Sequence, residues 1–254
     1  NEEVNYRDQT LIPDFASLAP VPWLENTARI ICDTEWAPGK PLRAAPRYVM
    51  GEMLKRLDKL GYKAVMSHEY EFFVLDRETR QPFFDGVHIF NNLRNEQLPV
   101  IREAVDYLRA AGIPMLTANA EYAPSQFELV YSHIEGMAGA DNAYTFKNGL
   151  KEIVHQAGQI ATFMTKPFAG NAGSGCHYHL SLLHKKGGGG VFIDKSDPDT
   201  MSDTLRYFVQ GIIDHGAACM ALFNPTPNCY RRLRPHTFAP SNISWGEEDR
   251  SAMV

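Results

Sequence analysis

The sequence lacks the excess of positive charge that nucleic-acid-binding and membrane-surface proteins carry. Its formal net charge is -5 at pH 7 and its isoelectric point is about 6.0. Because nucleic acids and membrane surfaces are anionic and require a basic protein face, the composition argues against either partner. Small anionic substrates can still bind at local basic points.

Long hydrophobic runs and cysteine motifs are also missing. No stretch approaches the roughly 18 apolar residues that a membrane-spanning helix requires. The 4 cysteines form no CxxC pair and no dense framework, so we expect reduced thiols and a cytoplasmic protein. The opening segment NEEVNYRDQT is charged, without an initiator Met or an apolar core, which indicates neither a signal peptide nor a natural start.

The apolar content is sufficient for a folded core, with 44% hydrophobic and 11% aromatic residues. Residues 1–39 alternate short apolar pieces with proline, which favours small strands and turns. We interpret 1–39 as the end of an N-terminal domain and 40–254 as a second, larger domain. Apolar spacing predicts helices near 43–60, 97–111, 140–164 and 203–223, and strands near 64–75, 114–120, 127–131 and 176–183. This mixture indicates the α+β class.

Two pairs of acidic residues are the first candidates for chemistry. Glu69 and Glu71 stand two positions apart in an apolar strand, so their carboxylates share one face. Glu121 and Glu128 flank Pro124, which prevents a helix and lets two limbs of the chain face one site. Taken by itself, each pair could also consist of ordinary acidic residues exposed on the surface. If the carboxylates are buried together, a divalent metal ion is the natural compensation for their repulsion.

A glycine-rich turn and an arginine-rich tail supply complementary groups. The segment GNAGSGCHYHLSL places His177, His179 and Ser181 on one strand face, behind a turn that permits close backbone approach to a ligand. Imidazole can complete a metal site that is otherwise rich in oxygen. Arg232 and Arg250 offer two-pronged recognition of carboxylate and phosphate. Together these groups predict a site that activates a carboxylate by phosphoryl transfer.

Five segments in series resemble the glutamine synthetase family. They are EYEFFVLD (69–76), EYAPSQFEL (121–129), KPFAGNAGSGCHYHLSL (166–182), NPTPNCYRRLRP (224–235) and APSNISWGEEDRSA (239–252). The resemblance implies a glutamine synthetase-type catalytic domain, with an antiparallel sheet and helices, preceded by the remnant of a small β-grasp domain. It also implies a ring-shaped homo-oligomer with sites between subunits.

The resemblance implies a role for each matched residue. Glu71, Glu121 and Glu128 would bind one Mg²⁺ or Mn²⁺ ion on the substrate side, and Glu69 with His177 would bind a second. The other implied roles are nucleotide binding for His179 and Ser181, glutamate binding for Gly173 and Arg232, and contact with the transferring phosphoryl group for Arg250. In the implied reaction, ATP phosphorylates the side-chain carboxylate of glutamate, and an amine then displaces phosphate to form an amide.

Departures from the family pattern bear on both substrates. Ala172 stands where the family usually has Asn, which leaves a close analogue of glutamate open beside glutamate itself. Phe238 stands where ammonia-using members carry a glutamate that deprotonates ammonium. Because a phenyl ring cannot accept a proton, we expect an organic amine such as an alkylamine, ethanolamine or a polyamine, with Phe238 lining its entrance. The family also places further site residues beyond Val254 and ahead of the first residue here.

The sequence leaves three further functions open. If the loop is offset, or if Glu247 or Glu248 acts in place of the missing glutamate, the protein is an ordinary glutamine synthetase that uses ammonia. A guanidino kinase on the related fold would use ATP and carboxylates but stop at phosphoryl transfer. The third possibility is a family member without catalysis that serves as a structural or regulatory subunit.

Overall fold

The structure, a computed structural model, describes residues 8–87, 89–197, 200–235 and 237–254. Its strands are β1 Thr10–Pro20, β2 Ala28–Ala37, β3 Lys40–Pro41, β4 Tyr62–Asp76, β5 Met115–Ala120, β6 Gln126–Tyr131, β7 Ile134–Glu135, β8 Gln159–Thr162 and β9 Cys176–His184. Its helices are α1 Pro46–Lys59, α2 Asn92–Gln97, α3 Pro99–Ala110, α4 Met137–Gln156, α5 Asp203–Phe223 and α6 Pro227–Arg232. Across the described ranges, none of these helices has the length and apolar character needed to cross a bilayer.

The smaller sheet consists of β1, β2 and β3, which pair antiparallel. Arg47, in the first turn of α1, ties this sheet to the helices. Its guanidinium lies 2.6 Å from the carboxylate of Asp33 in β2 and 3.1 Å from that of Asp141 in α4, and it also contacts Asp14 in β1. The β-grasp interpretation and the domain division at residue 39 stay predictions.

The larger sheet is built around β4. This strand pairs antiparallel with β6 and β7 along one edge and with β8 and β9 along the other, while β5 pairs with the far side of β6. The main core lies between α3, α4 and one face of the sheet, where Phe72 and Val74 of β4 are fully buried. Because side chains alternate along a strand, Glu69 and Glu71 project from the opposite face. The predicted α+β class with an antiparallel sheet is confirmed.

The helix predicted over 140–164 is wrong at its C-terminal end. The helix α4 ends at Gln156, and residues 159–162 form β8, which pairs with β4. Gly158 follows the helix with φ of 75°, in the left-handed region that commonly ends helices. The short helices α2 and α6 and the two-residue strand β7 were not predicted either, whereas the other predicted elements are present with small shifts at their ends.

Candidate metal and substrate site

The register of three strands brings the predicted acidic residues together. Glu71 of β4 lies directly opposite Glu128 of β6, and Glu69 of β4 lies directly opposite His177 of β9. The Nδ1 atom of His177 is 3.0 Å from Oε2 of Glu69. One donor atom each from Glu69, Glu128 and His177 lie within 4.8 Å of one another. Donors from three adjacent strands therefore converge on one point.

Glu121, just after β5, adds a further carboxylate to this group. Burial, and then the charge of Glu71, raise the pKa of Glu121 to about 7, whereas the charge of Arg250 lowers it. Burial, and then the charges of Glu69, Glu121 and Glu71, raise the pKa of Glu128 to about 7. The charges of Glu69 and Glu71 thus lie close enough to oppose the ionisation of Glu121 and Glu128.

The donor set fits the divalent ions that the sequence predicts. Carboxylate oxygens are the ligands that Mg²⁺ and Mn²⁺ prefer, and one imidazole can complete such a site. The repulsion among the carboxylates is the electrostatic condition that a cation relieves. Among the described residues, the donors grouped closely enough to hold one ion are those of Glu69, Glu128 and His177. The predicted division of the ligands between two ions stays a prediction.

The raised pKa values predict how the metal-free protein responds to pH. The pKa of Glu121 and of Glu128 is about 7 in the folded chain, whereas the pKa of an ordinary glutamate side chain is 4.5. The stability they contribute is therefore complete below about pH 4.5 and is lost as the pH rises through about 7. With EDTA present, we expect the melting temperature to fall between about pH 5.5 and about pH 8, and Mn²⁺ to flatten that dependence.

Differential scanning fluorimetry across this pH range measures the effect. Glu128→Gln removes one of the two groups, so its metal-free curve should be flatter than that of the wild type. An equally steep curve for the variant would show that these carboxyl groups do not govern the pH dependence.

The glycine-rich turn packs against Arg232, at the end of α6. A Cβ atom on Gly173 would lie 2.5 Å from the Thr165 carbonyl oxygen and 2.9 Å from Cδ of Arg232, so only glycine permits this approach. A Cβ atom on Gly175 would lie 2.9 Å from the Arg232 guanidinium and 3.6 Å from Oε1 of Glu71. Within the described ranges, the buried Nε of Arg232 has no hydrogen-bond partner. A buried donor in this state is suited to a bound carboxylate.

The other predicted residues lie at different distances from this centre. His179 is exposed, and its Nε2 atom lies 3.1 Å from Oε1 of Glu69. Ser181 lies farther along β9, opposite Val65. Arg250 is exposed in the C-terminal tail, where its charge acts on Glu121. The nucleotide role of His179 and Ser181 and the phosphoryl role of Arg250 stay predictions.

Phe238 stacks on Tyr122, the residue that follows Glu121. The ring centroids are 5.1 Å apart and the planes differ by 19°. Phe238 is 78% exposed, and its backbone has φ of 54°, a conformation that is uncommon for a bulky residue. An exposed aromatic pair therefore stands beside the acidic group.

The sequence reasoning missed two residues that help to form the site. Tyr122 stands inside the motif EYAPSQFEL but was not singled out. Gln126 stands two positions before Glu128, and strand alternation alone would have placed it on the same face. In the structure Gln126 is 2% exposed, and its amide contacts Glu71 and the glycine-rich turn.

The sequence profile of the glutamine synthetase catalytic domain matches residues 43–254. The chain belongs to the glutamine synthetase family. This confirms the family resemblance that the five motifs indicate.

Several relatives and solved structures agree with this membership. The chain is 38% identical to a glutamine synthetase of Thermotoga maritima, over 97% of this chain and 58% of the relative. It is 32% identical to a glutamate–isopropylamine ligase of a Pseudomonas species, over 97% of this chain and 56% of the relative. A GmaS–ADP complex matches its fold with a TM-score of 0.89 at 29% identity, over 97% of this chain and 59% of that chain. This chain thus spans less than two thirds of each relative.

Proposed function

We propose that the full-length protein is an ATP-dependent ligase that joins the side-chain carboxylate of glutamate, or of a close analogue, to an amine. The observation that carries this proposal is the convergence of Glu69, Glu71, Glu128 and His177 beside Arg232. Formation of an amide bond is supported by the relatives, which include glutamine synthetases and a glutamate–isopropylamine ligase. The ADP in a similar structure supports ATP as co-substrate.

The proposed reaction has two steps. An oxygen of the substrate carboxylate attacks the γ-phosphorus of ATP, the bond to ADP breaks, and an acyl phosphate forms. The amine nitrogen then attacks the acyl carbon, phosphate leaves, and the nitrogen gives up a proton to solvent. Phosphorylation is needed because a carboxylate oxygen is a poor leaving group.

Particular residues support each step. Mg²⁺ or Mn²⁺, held by Glu71, Glu121 and Glu128 and by Glu69 with His177, would neutralise the charge of the phosphates. Arg232 and the backbone at Gly173 bind the amino-acid substrate, for which Glu71 orients the reacting end. Arg250 offsets the charge of the phosphoryl group during transfer. His179 and Ser181, on the same face of β9, contact the nucleotide.

The amine in this proposal is organic. Phe238 offers no proton acceptor, and its stack with Tyr122 presents an apolar surface beside the acidic group. Aromatic faces hold organic cations and alkyl chains, with a contribution of about 0.5 to 2 kcal/mol. The relative that is a glutamate–isopropylamine ligase supports this choice. The similarity to the T. maritima enzyme favours ammonia as the second candidate.

Acceptor selectivity tests this choice. We expect kcat/KM for methylamine, ethanolamine or putrescine to exceed that for ammonium at fixed pH. Phe238→Glu should shift the preference toward ammonium, because it introduces a proton acceptor. Phe238→Leu is the matched control, since it keeps an apolar side chain and should not raise ammonium use. A clear preference of the wild type for ammonium would contradict the organic amine and would indicate an ordinary glutamine synthetase.

The clustered, half-buried carboxylates argue against a family member without catalysis. Such a protein gains nothing from keeping like charges that oppose folding in the absence of a cation.

A guanidino kinase would turn over ATP without an amide product, and the acceptor assay detects that difference.

We further propose a cytoplasmic homo-oligomer of ring type, with sites between subunits. The free state of Cys32, Cys176, Cys219 and Cys229, which all lie in the described ranges, supports a reducing compartment. The family to which the chain belongs supports the ring-shaped assembly.

A further inference from the structure

Gln126 is a buried amide that joins the separate parts of the site. It is the first residue of β6 and is 2% exposed. Its Oε1 atom accepts a hydrogen bond from the Ala123 backbone N–H at 3.0 Å. Its Nε2 atom donates to the Gly173 carbonyl oxygen at 3.0 Å, and it lies 3.2 Å from Oγ of Ser174 and 3.3 Å from Oε2 of Glu71.

These contacts fix the orientation of the Glu71 carboxylate. Oε2 of Glu71 accepts from Gln126 and also from the Gly175 backbone N–H at 2.9 Å. In turn, the Glu71 backbone N–H donates to the Gly175 carbonyl oxygen at 3.2 Å. With Oε2 occupied by two donors, Oε1 is the oxygen left available to a cation or a ligand. Rotation of the carboxylate would break both hydrogen bonds.

The same amide holds the glycine-rich turn in place. Gly173 packs against Arg232 with no room for a side chain, so a shift of this backbone alters the position offered to a substrate. The single Nε2 group therefore contacts both the turn and a carboxylate of the metal site. A side chain without an amide could fill the volume but could make neither contact.

We propose that Gln126 is a positioning residue that couples metal binding at Glu71 to substrate binding at Gly173. This inference rests on the proposed function in two respects, namely that Glu71 holds a divalent ion and that the glycine-rich turn binds the amino-acid substrate. It adds a prediction that the donor set alone does not make: binding of Mn²⁺ and of glutamate should favour each other through this amide. Linkage requires the effect to be equal in both directions.

Calorimetric titration of the full-length protein with Mn²⁺, with and without glutamate, tests the proposal. Gln126→Met keeps nearly the same volume but removes the hydrogen bonds. We expect it to weaken Mn²⁺ binding by about 10- to 100-fold, the range for loss of a contact that orients a metal ligand. We also expect glutamate to raise the Mn²⁺ affinity of the wild type but not that of the variant.

Ser125→Ala is the matched control for a purely structural role. Ser125 is also buried, in the connection between β5 and β6, where its Oγ accepts from the N–H groups of Phe83 and Phe84 and makes no hydrogen bond to Glu71. This variant should lower the melting temperature yet leave Mn²⁺ affinity and the glutamate effect unchanged. If Gln126→Met does not fold, Gln126→Asn replaces it, because its shorter amide cannot reach from Ala123 to Glu71.

The outcomes separate this inference from the proposed function. If the wild type binds Mn²⁺ and the folded Gln126 variant binds it equally well with the same glutamate effect, the inference is overturned while the ligase proposal stands. If the wild type binds no Mn²⁺, the metal site itself is overturned, and the inference with it. Weakening by Ser125→Ala equal to that by Gln126→Met would also overturn the inference, by assigning the effect to general destabilisation.

Discussion

Glu71→Gln and Glu128→Gln are expected to weaken Mn²⁺ binding by more than the roughly 10- to 100-fold that loss of an outer contact causes. The two side chains lie directly opposite each other on neighbouring strands, and each amide variant keeps its shape while removing an anionic ligand. The metal-free variants should remain folded. Glu128→Gln should even raise the melting temperature at neutral pH, since it removes a charge that Glu69, Glu71 and Glu121 oppose.

Calorimetric titration and fluorimetry measure these two effects together. Glu103→Gln is the matched control, because Glu103 is exposed on α3, which packs on the other face of the sheet. Its Mn²⁺ affinity should equal that of the wild type. Unchanged affinity in both site variants would mean that these carboxylates do not bind the metal.

Arg232→Lys and Arg250→Lys are each expected to reduce kcat/KM for the ligase reaction by about 10³-fold, within the range for groups that stabilise charge in phosphoryl transfer. An ammonium group is a point charge and cannot reproduce a planar two-pronged contact. The stem of Arg232 packs on Gly173, and its buried Nε is a donor without a partner among the described residues. Lysine has no such donor at that position. We expect Arg232→Lys to raise KM for the amino acid and Arg250→Lys to act mainly on kcat.

Arg231→Lys provides the control for the first of these variants. Arg231 precedes Arg232 on α6 but is exposed, so its replacement should leave both kinetic constants close to those of the wild type. Circular dichroism should show that all three variants are folded. Wild-type turnover in either site variant would show that this arginine is not required for the reaction.

Much of the fold and of the site could be predicted because periodic patterns record local geometry. Alternation alone places Glu69 and Glu71 on one strand face. The turn at Pro124 predicts the reversal of the chain that brings Glu128 opposite Glu71. The error at the end of α4 has a physical cause as well. Residues 159–162 continue an apolar stretch, and only pairing with β4 decides that they form a strand.

Contacts across the sheet could not be predicted in the same way. Register decides that Glu69 meets His177, and no local pattern in the sequence contains that register. The stack of Phe238 on Tyr122 joins positions far apart in the chain. Gln126 shows the limit most clearly, since its place on the face was readable from alternation but its link to Gly173 depends on a turn that folds back from beyond α4.

Transfer of an isotope label tests the central claim most directly. Glutamate labelled with ¹⁸O in its side-chain carboxylate is incubated with the full-length protein, ATP, Mg²⁺ and an amine, and the released phosphate is analysed by mass spectrometry. If an acyl phosphate forms, one labelled oxygen passes from the carboxylate to inorganic phosphate for each amide made. Release of unlabelled phosphate, or ATP turnover without an amide, would contradict the proposed ligase reaction.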